Sequence, residues 1–473
     1  MQLSWRGFIL SACSVGLVVG IVGTLGEDIQ LMSDRQLAQA QGNNNLEVST
    51  ASYLGGSEDD IAGAIAIAPD KTIVLSGRIP GNNFGKTPIN LLGGGDGAIL
   101  RTDSTGKRIL SLTRLGNIID DLAIHQNSGN IAAVGDFGVA LLDSQAQGIL
   151  WHMPLGEGGG AKASNGRRVA VGNDGTVAAL FRKKISVFDL SGALLGEFSV
   201  SGSFVEDLAL DSETNSIIVT GYSQKDGGGC RQLQVAFIRS YDYAGNLNWR
   251  NYDWTHAEAH GGNSSCADTR GDRVMIGADG MLYFAAESAG GNTIFRYHPQ
   301  DLSRDAPNVI FDAYNHPYNT ASNHITYYAR LQPTTGEIEK GQFHLSRRSN
   351  GKGNTIVPRA IAADENGTLF VGGSSAAIFA DRNEARISGQ LGSYAAYDNF
   401  LLSVPADFSS RLFTVSWNQG CAGENQVVGI AAAYGMRAMI SNTAGCEMIT
   451  VDPIQATPQG EREILYSVWS AEF

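Results

Sequence analysis

Residues 64–115 set a pattern that most of the chain repeats. A run of small and apolar residues, 64–68, is broken by Pro69-Asp70-Lys71 and returns as a second apolar run, 72–77. After a Gly-rich loop a third run, 97–103, turns at Ser104-Thr105-Gly106 into a fourth, 108–115. Short β-branched and apolar runs separated by Gly, Asp, Asn and Pro predict an antiparallel meander. Four strands per unit, recurring roughly every fifty residues, predict the blades of a β-propeller.

Turn chemistry gives the count. Turns between the third and fourth strands fall at Thr105-Gly106, Gln147-Gly148, Ser191-Gly192, Ala244-Gly245, Thr335-Gly336, Ser409-Ser410 and Gln459-Gly460. Turns between the first and second strands fall at Pro69-Asp70-Lys71, Asn127-Ser128-Gly129, Asn173-Asp174-Gly175, Glu213-Thr214-Asn215, Ala278-Asp279-Gly280, Glu365-Asn366-Gly367 and Tyr434-Gly435. Both series predict an all-β, seven-bladed propeller of four-stranded antiparallel blades over residues 46–473, because Asp-Gly and Asn-Gly supply the φ > 0 geometry of tight hairpins. The run 51–56 and the C-terminal run 464–469 compete to complete the last blade, with one of them adding a fifth strand. The longest insertion, about residues 289–324, separates the second and third strands of unit five. Long loops on a rigid scaffold are where binding residues concentrate.

The recurring phrase of apolar strand, Asp/Asn-Gly turn, and strand ending in Gly (Ile73 to Gly77, Ile217 to Gly221, Leu369 to Gly373) resembles the bacterial SBBP-type β-propeller repeat. Tyr53-Leu54-Gly55-Gly56-Ser57-Glu58-Asp59-Asp60 is similar to the lead-in of such repeats, whereas Leu180 and Ser441 depart from the glycine rule. The resemblance implies an exported, usually non-catalytic repeat protein and carries no catalytic residues across.

Composition narrows the function classes. Of 473 residues, 59 are glycine and only 12 proline, which suits tight turns between short strands rather than a disordered chain. The net charge of −13 repels phosphate backbones and argues against a nucleic-acid partner. Residues 1–45 read as an export segment: Arg6 precedes an uncharged apolar run, residues 7–26, and Ala38-Gln39-Ala40 fits a signal-peptidase site. A cleaved signal peptide is the leading reading, ahead of a retained membrane-anchor helix and of a lipoprotein modified at Cys13. All three predict an extracytoplasmic location in a bacterium, and the membrane is a partner only if the segment stays attached. Without a CxxC, Cys230 with Cys266 and Cys421 with Cys446 are candidate disulfides of an exported chain.

Three constellations could carry chemistry. Asp121, Arg168, Asp207 and Arg273 occupy equivalent positions at the start of the innermost strands, where they either tie neighbouring blades together or form a polar, ligand-binding channel mouth. His256, Glu258 and His260 have a spacing that would suit a divalent metal ion if they lay on a strand. Trp254, Tyr297, Tyr314 and Tyr318, with Trp249, Tyr252, Tyr327 and Tyr328 nearby, are candidate contacts for a protein or glycan partner. No GxSxG elbow, Walker loop or dinucleotide fingerprint is present. The expectation is an exported, non-enzymatic binding or scaffold propeller. The rival is a metal- or cofactor-dependent propeller enzyme (hydrolase, lactonase or dehydrogenase), which needs a convergent ligand set.

Overall fold

The computed structural model describes residues 45–155, 167–225, 232–261, 265–310, 324–348, 353–377, 385–393, 397–420 and 423–470. Seven antiparallel sheets of four principal strands follow one another along the chain. The first blade is Ile61–Ile67, Ile73–Arg78, Gly97–Thr102 and Ile109–Leu115, with a short strand, Ile89–Leu91, added in parallel outside it. Blades 2 to 6 begin with the inner strands Ile119–Ile124, Arg167–Val171, Phe204–Asp211, Thr269–Ile276 and Ile356–Ala363.

The seventh blade closes the ring. Its first three strands are Gln426–Ala433, Met436–Thr443 and Glu463–Ser470, and its outermost is Thr50–Leu54 from the beginning of the chain. Thr50 pairs with Val468 and Leu54 with Ile464. The two competing segments therefore take different places, third and fourth, and neither adds a fifth strand. Gln459-Gly460 accordingly leads into a third strand and is not a hairpin turn. The other predicted turns all join the strands expected.

Burial explains why the strands read as they do. The two middle strands of a blade face a neighbour on both sides, so Ile131–Gly135 and Gly138–Leu142 are buried at every position. They carry continuous apolar sequence, as doubly covered strands must. An outer strand such as Leu194–Ser199 meets solvent and alternates. Seven apolar clusters form, each spanning one pair of adjacent blades, including the pair formed by blades 7 and 1. The core is thus distributed between blades. Truncating a fully buried residue such as Leu141 to alanine would cost about 2–5 kcal/mol.

Aspartates fix the turns between third and fourth strands. The Asp189 carboxylate accepts from the Ser191 amide at 2.8 Å, the Ser191 hydroxyl at 2.6 Å and the Ala193 amide at 2.9 Å. Those bonds lower its pKa. Gly192 then adopts φ +86°, and a Cβ there would press on Trp151 of the preceding blade. Asp103, Asp143, Asp242 and Asp407 accept turn amides in the same way.

The export segment up to residue 44 lies outside the described residues, as do Cys13, Cys230 and Cys421, and with them both proposed cysteine pairings. Among the described residues, no helix is long and apolar enough to cross a membrane.

Candidate binding site at the channel mouth

The inner strands surround a channel with a volume of about 1630 Å³, lined by all seven blades. At the start of those strands the pairing register slips at equivalent places: after Ile119, Val205, Gly271, Pro358 and Val427. Each slip is a β-bulge in which an extra residue bends the strand. Adjacent side chains of a regular strand point to opposite faces, but here both members of a tandem charged pair line the channel: Asp120 with Asp121, Glu206 with Asp207, and Asp272 with Arg273. Arg359 joins them at the equivalent position in blade 6. The sequence reading named one tier and missed the other. The tandem charges recurring at one register position were the available signal.

The inner tier links blades. Asp121 accepts the Val169 amide of blade 3 at 3.0 Å, and Asp207 accepts the Val274 amide of blade 5 at 3.0 Å. Arg168 stands 3.5 Å from Asp207, and Arg273 donates to the carbonyls of Arg359 at 2.6 Å and Asp272 at 2.9 Å. Asp121, Arg168, Asp207 and Arg273 therefore do come together. Burial drives the electrostatics: it pushes Asp121 up to about 6 and raises Asp207, while burial together with the Arg168 charge brings Arg273 down to about 10.

The second tier continues this between blades 2 and 3 and on blades 5 and 6. Arg167 pairs with Asp120 at 2.7 Å, Arg359 with Asp272 at 2.7 Å, and Arg270 with Glu287 at 2.8 Å. His324 Nδ1 lies 3.2 Å from the other Glu287 oxygen. Burial beside Glu287 pushes Asp272 well above the carboxylate range. Glu287 itself, although buried, is held low by His324, Arg359 and Arg270.

An aromatic step stands at the rim. Phe204 stacks on Tyr222 at 4.9 Å, and the Arg270 guanidinium lies 5.4 Å from the Tyr222 ring. Phe204 is 49% exposed.

The histidine motif forms a short helix, His256–Gly261, rather than a strand. Its two imidazoles share a face, 5.7 Å apart, but Glu258 points back to cap the helix. Its carboxylate accepts from the Thr255 amide at 2.8 Å and hydroxyl at 2.7 Å, and the Thr255 hydroxyl accepts the Glu258 amide at 3.3 Å. This reciprocal cap lowers the Glu258 pKa and separates it from the imidazoles. Among the described residues, no group of three or more His, Cys, Asp or Glu could hold a metal ion.

The insertion occupies the predicted place, after Leu282–Ser288 and before Ile325–Leu331. Its buried Ile294 and Phe295 pin it to the cluster between blades 4 and 5. Tyr297 is half-buried in a short strand, and Tyr314 and Tyr318 lie outside the described residues. Trp254 packs against the same cluster. Tyr252, Tyr327 and Tyr328 are core residues and not loop contacts, because strand pairing places them between blades. Trp249 bonds the Pro333 carbonyl at 2.9 Å.

No family model matches this chain, and no curated protein matches it. Among solved structures, the chain is similar to the WD40 β-propeller domain of Doa1, at 10% identity and a TM-score of 0.47, covering 89% of this chain and 96% of that one. Strand order and the seven interfaces establish the propeller here, and the fold by itself assigns no role.

Proposed function

We propose that the protein is an exported, non-enzymatic β-propeller that binds a partner on the face formed by the channel mouth and the loops of blades 4 and 5. The engagement of the mouth's charges in cross-blade ties carries this reading: Asp121 and Asp207 hold backbone amides of the next blade, which suits a rigid recognition surface. The insertion and the Phe204–Tyr222 step supply contact area beside it. A protein partner is favoured over a glycan, since Phe204 alone among the described aromatics lining the channel is exposed, which offers little for successive sugars. The repeat type is read as SBBP-like, and Cys230–Cys266 and Cys421–Cys446 as bridges suited to an oxidising compartment.

A photo-cross-linking residue placed at Tyr297, compared with one at Leu195 on the outer strand of blade 3, tests the face. Capture at Tyr297 alone supports it, and equal capture at both rejects it. N-terminal sequencing of the protein from its native host tests export, with a start at Gln41 as the expected result. Intact mass before and after reduction reads the bridges. A stoichiometric transition metal lost with His256→Ala would replace this reading by the metalloenzyme.

A further inference from the structure

The donors and acceptors at the mouth are unequally satisfied. Arg270, Arg359 and Arg168 each face a carboxylate, and Arg273 donates to two carbonyls. The acceptors are less well served. Asp272, only 4% exposed, uses one oxygen for Arg359, while its Oδ2 is buried and has no hydrogen bond. Glu206 is influenced by Arg273, Arg168 and Arg359 only through space, without a hydrogen bond to any of them. A buried carboxylate oxygen lacking a donor costs free energy, and where it borders a channel a ligand can supply that donor.

The surroundings decide the sign of the missing group. Among the described residues, carboxylates lining the channel outnumber its arginines, and no lysine lines it. The chain as a whole carries −13. Arg168 Nε is also buried without a hydrogen bond, but it faces the Asp207 carboxylate at 3.5 Å, so an anion there would meet a carboxylate as well, whereas a cation would meet acceptors that lack donors. Phe204 adds the second recognition element. One face of its ring rests on Tyr222, whose own ring also carries Arg270, so the outer face of Phe204 is the open aromatic surface at the rim. An aromatic face beside unsatisfied carboxylates recognises a cationic head on an apolar stem.

We infer that the mouth between blades 4 and 5 binds an organic cation, an ammonium or guanidinium group on an alkyl stem, with Glu206 and Asp272 as its acceptors and Phe204 against its stem. This rests on the proposal that this face is the binding face. The same chemistry belongs to a lysine or arginine side chain of a partner and to a free polyamine.

Titration calorimetry on the full chain tests it with a capped arginine peptide, its citrulline counterpart and spermidine. The arginine peptide or spermidine binds and the citrulline peptide does not. Binding of the peptide alone assigns the cation to a protein, and binding of spermidine alone to a small molecule. Glu206→Gln weakens binding about tenfold or more and does not lower the melting temperature, because it removes a desolvated charge. Phe204→Ala weakens binding less. Unchanged affinity in Glu206→Gln, equal binding of the citrulline peptide, or no binding of either cation overturns the inference. If Tyr297 still captures a partner that Glu206→Gln retains, the inference fails and the binding face stands. If Tyr297 captures nothing, the binding face fails as well.

Discussion

Asp60→Asn should stabilise the protein at neutral and alkaline pH. Asp60 is 1% exposed at the seam where the N-terminal strand joins the last blade, and its amide donates to the Arg462 carbonyl at 3.1 Å. One carboxylate oxygen accepts the Gly56 amide at 2.9 Å, and the other is buried without a partner. Nearby Glu463 is fully buried; its Oε1 accepts the amides of Gln459 and Gly460 at 2.6 and 2.8 Å, and its Oε2 is unpartnered. Gly55 lies between the two acids, where a Cβ would overlap both. Burial first, and then the Glu463 charge, pushes Asp60 up to about 7 against the opposing effects of Gly56 and Arg78.

The sign follows from linkage. Below the ordinary carboxylate value of 3.8 both folded and unfolded chains hold this proton, so nothing is lost. Between there and about 7 the unfolded chain ionises first, and stability falls as pH rises. Roughly 3 pK units at 1.36 kcal/mol each give an upper bound of about 4 kcal/mol, and screening at the seam brings this nearer 2 kcal/mol. Asparagine keeps an acceptor for Gly56 and cannot ionise. Urea denaturation of both proteins from pH 4 to 8 should show a gap that widens to about pH 7 and then flattens. A gap independent of pH, or an asparagine variant less stable at pH 8, would refute the assignment.

Asp207→Ala leaves the Val274 amide and Arg168 without their acceptor and should cost about 3–5 kcal/mol in chemical denaturation, whereas Asp207→Asn should cost clearly less; equal losses would discount the cross-blade tie. Arg437 and Asp364 form an ion pair with side chains 3% and 2% exposed, so Arg437→Met alone should cost about 3–5 kcal/mol and Arg437→Met with Asp364→Asn should recover most of it. Glu258→Ala should lose about 1 kcal/mol, as removal of a helix cap does, with no change in metal content by mass spectrometry. Burial raises both Glu206 and Asp272, the latter among Glu287, Arg359, Arg273 and Glu206, so affinity for the arginine peptide should fall from pH 8 to pH 5; a flat profile would argue against carboxylate acceptors.

Much of the architecture was legible because local chemistry encodes it. An Asp that gathers turn amides, followed by a glycine in the left-handed region, marks a hairpin whatever surrounds it. Continuous apolar runs mark strands covered on both faces. Those signals gave the blade count, the place of the insertion and one tier of the channel mouth. The aromatic contacts were harder to read. Tyr327 and Tyr328 are adjacent to an insertion in sequence, yet only their pairing with Ala286 and Ala285 places them between blades. Glu258 reads equally as a ligand or a cap until the backbone becomes a helix, at which point Thr255 claims it.

What the sequence by itself determined was therefore the repeat: strand, turn, and the alternation of covered and exposed positions, all set by interactions within a few tens of residues. Tertiary structure alone decided which segments share the closing blade, because Thr50–Leu54 and Glu463–Ser470 meet only when the ring closes. It also decided that the tandem charges turn inward together, since a bulge appears only once an inner strand pairs with its neighbour. Which carboxylates lack a donor depends on groups brought from three different blades, and no local pattern records that distance.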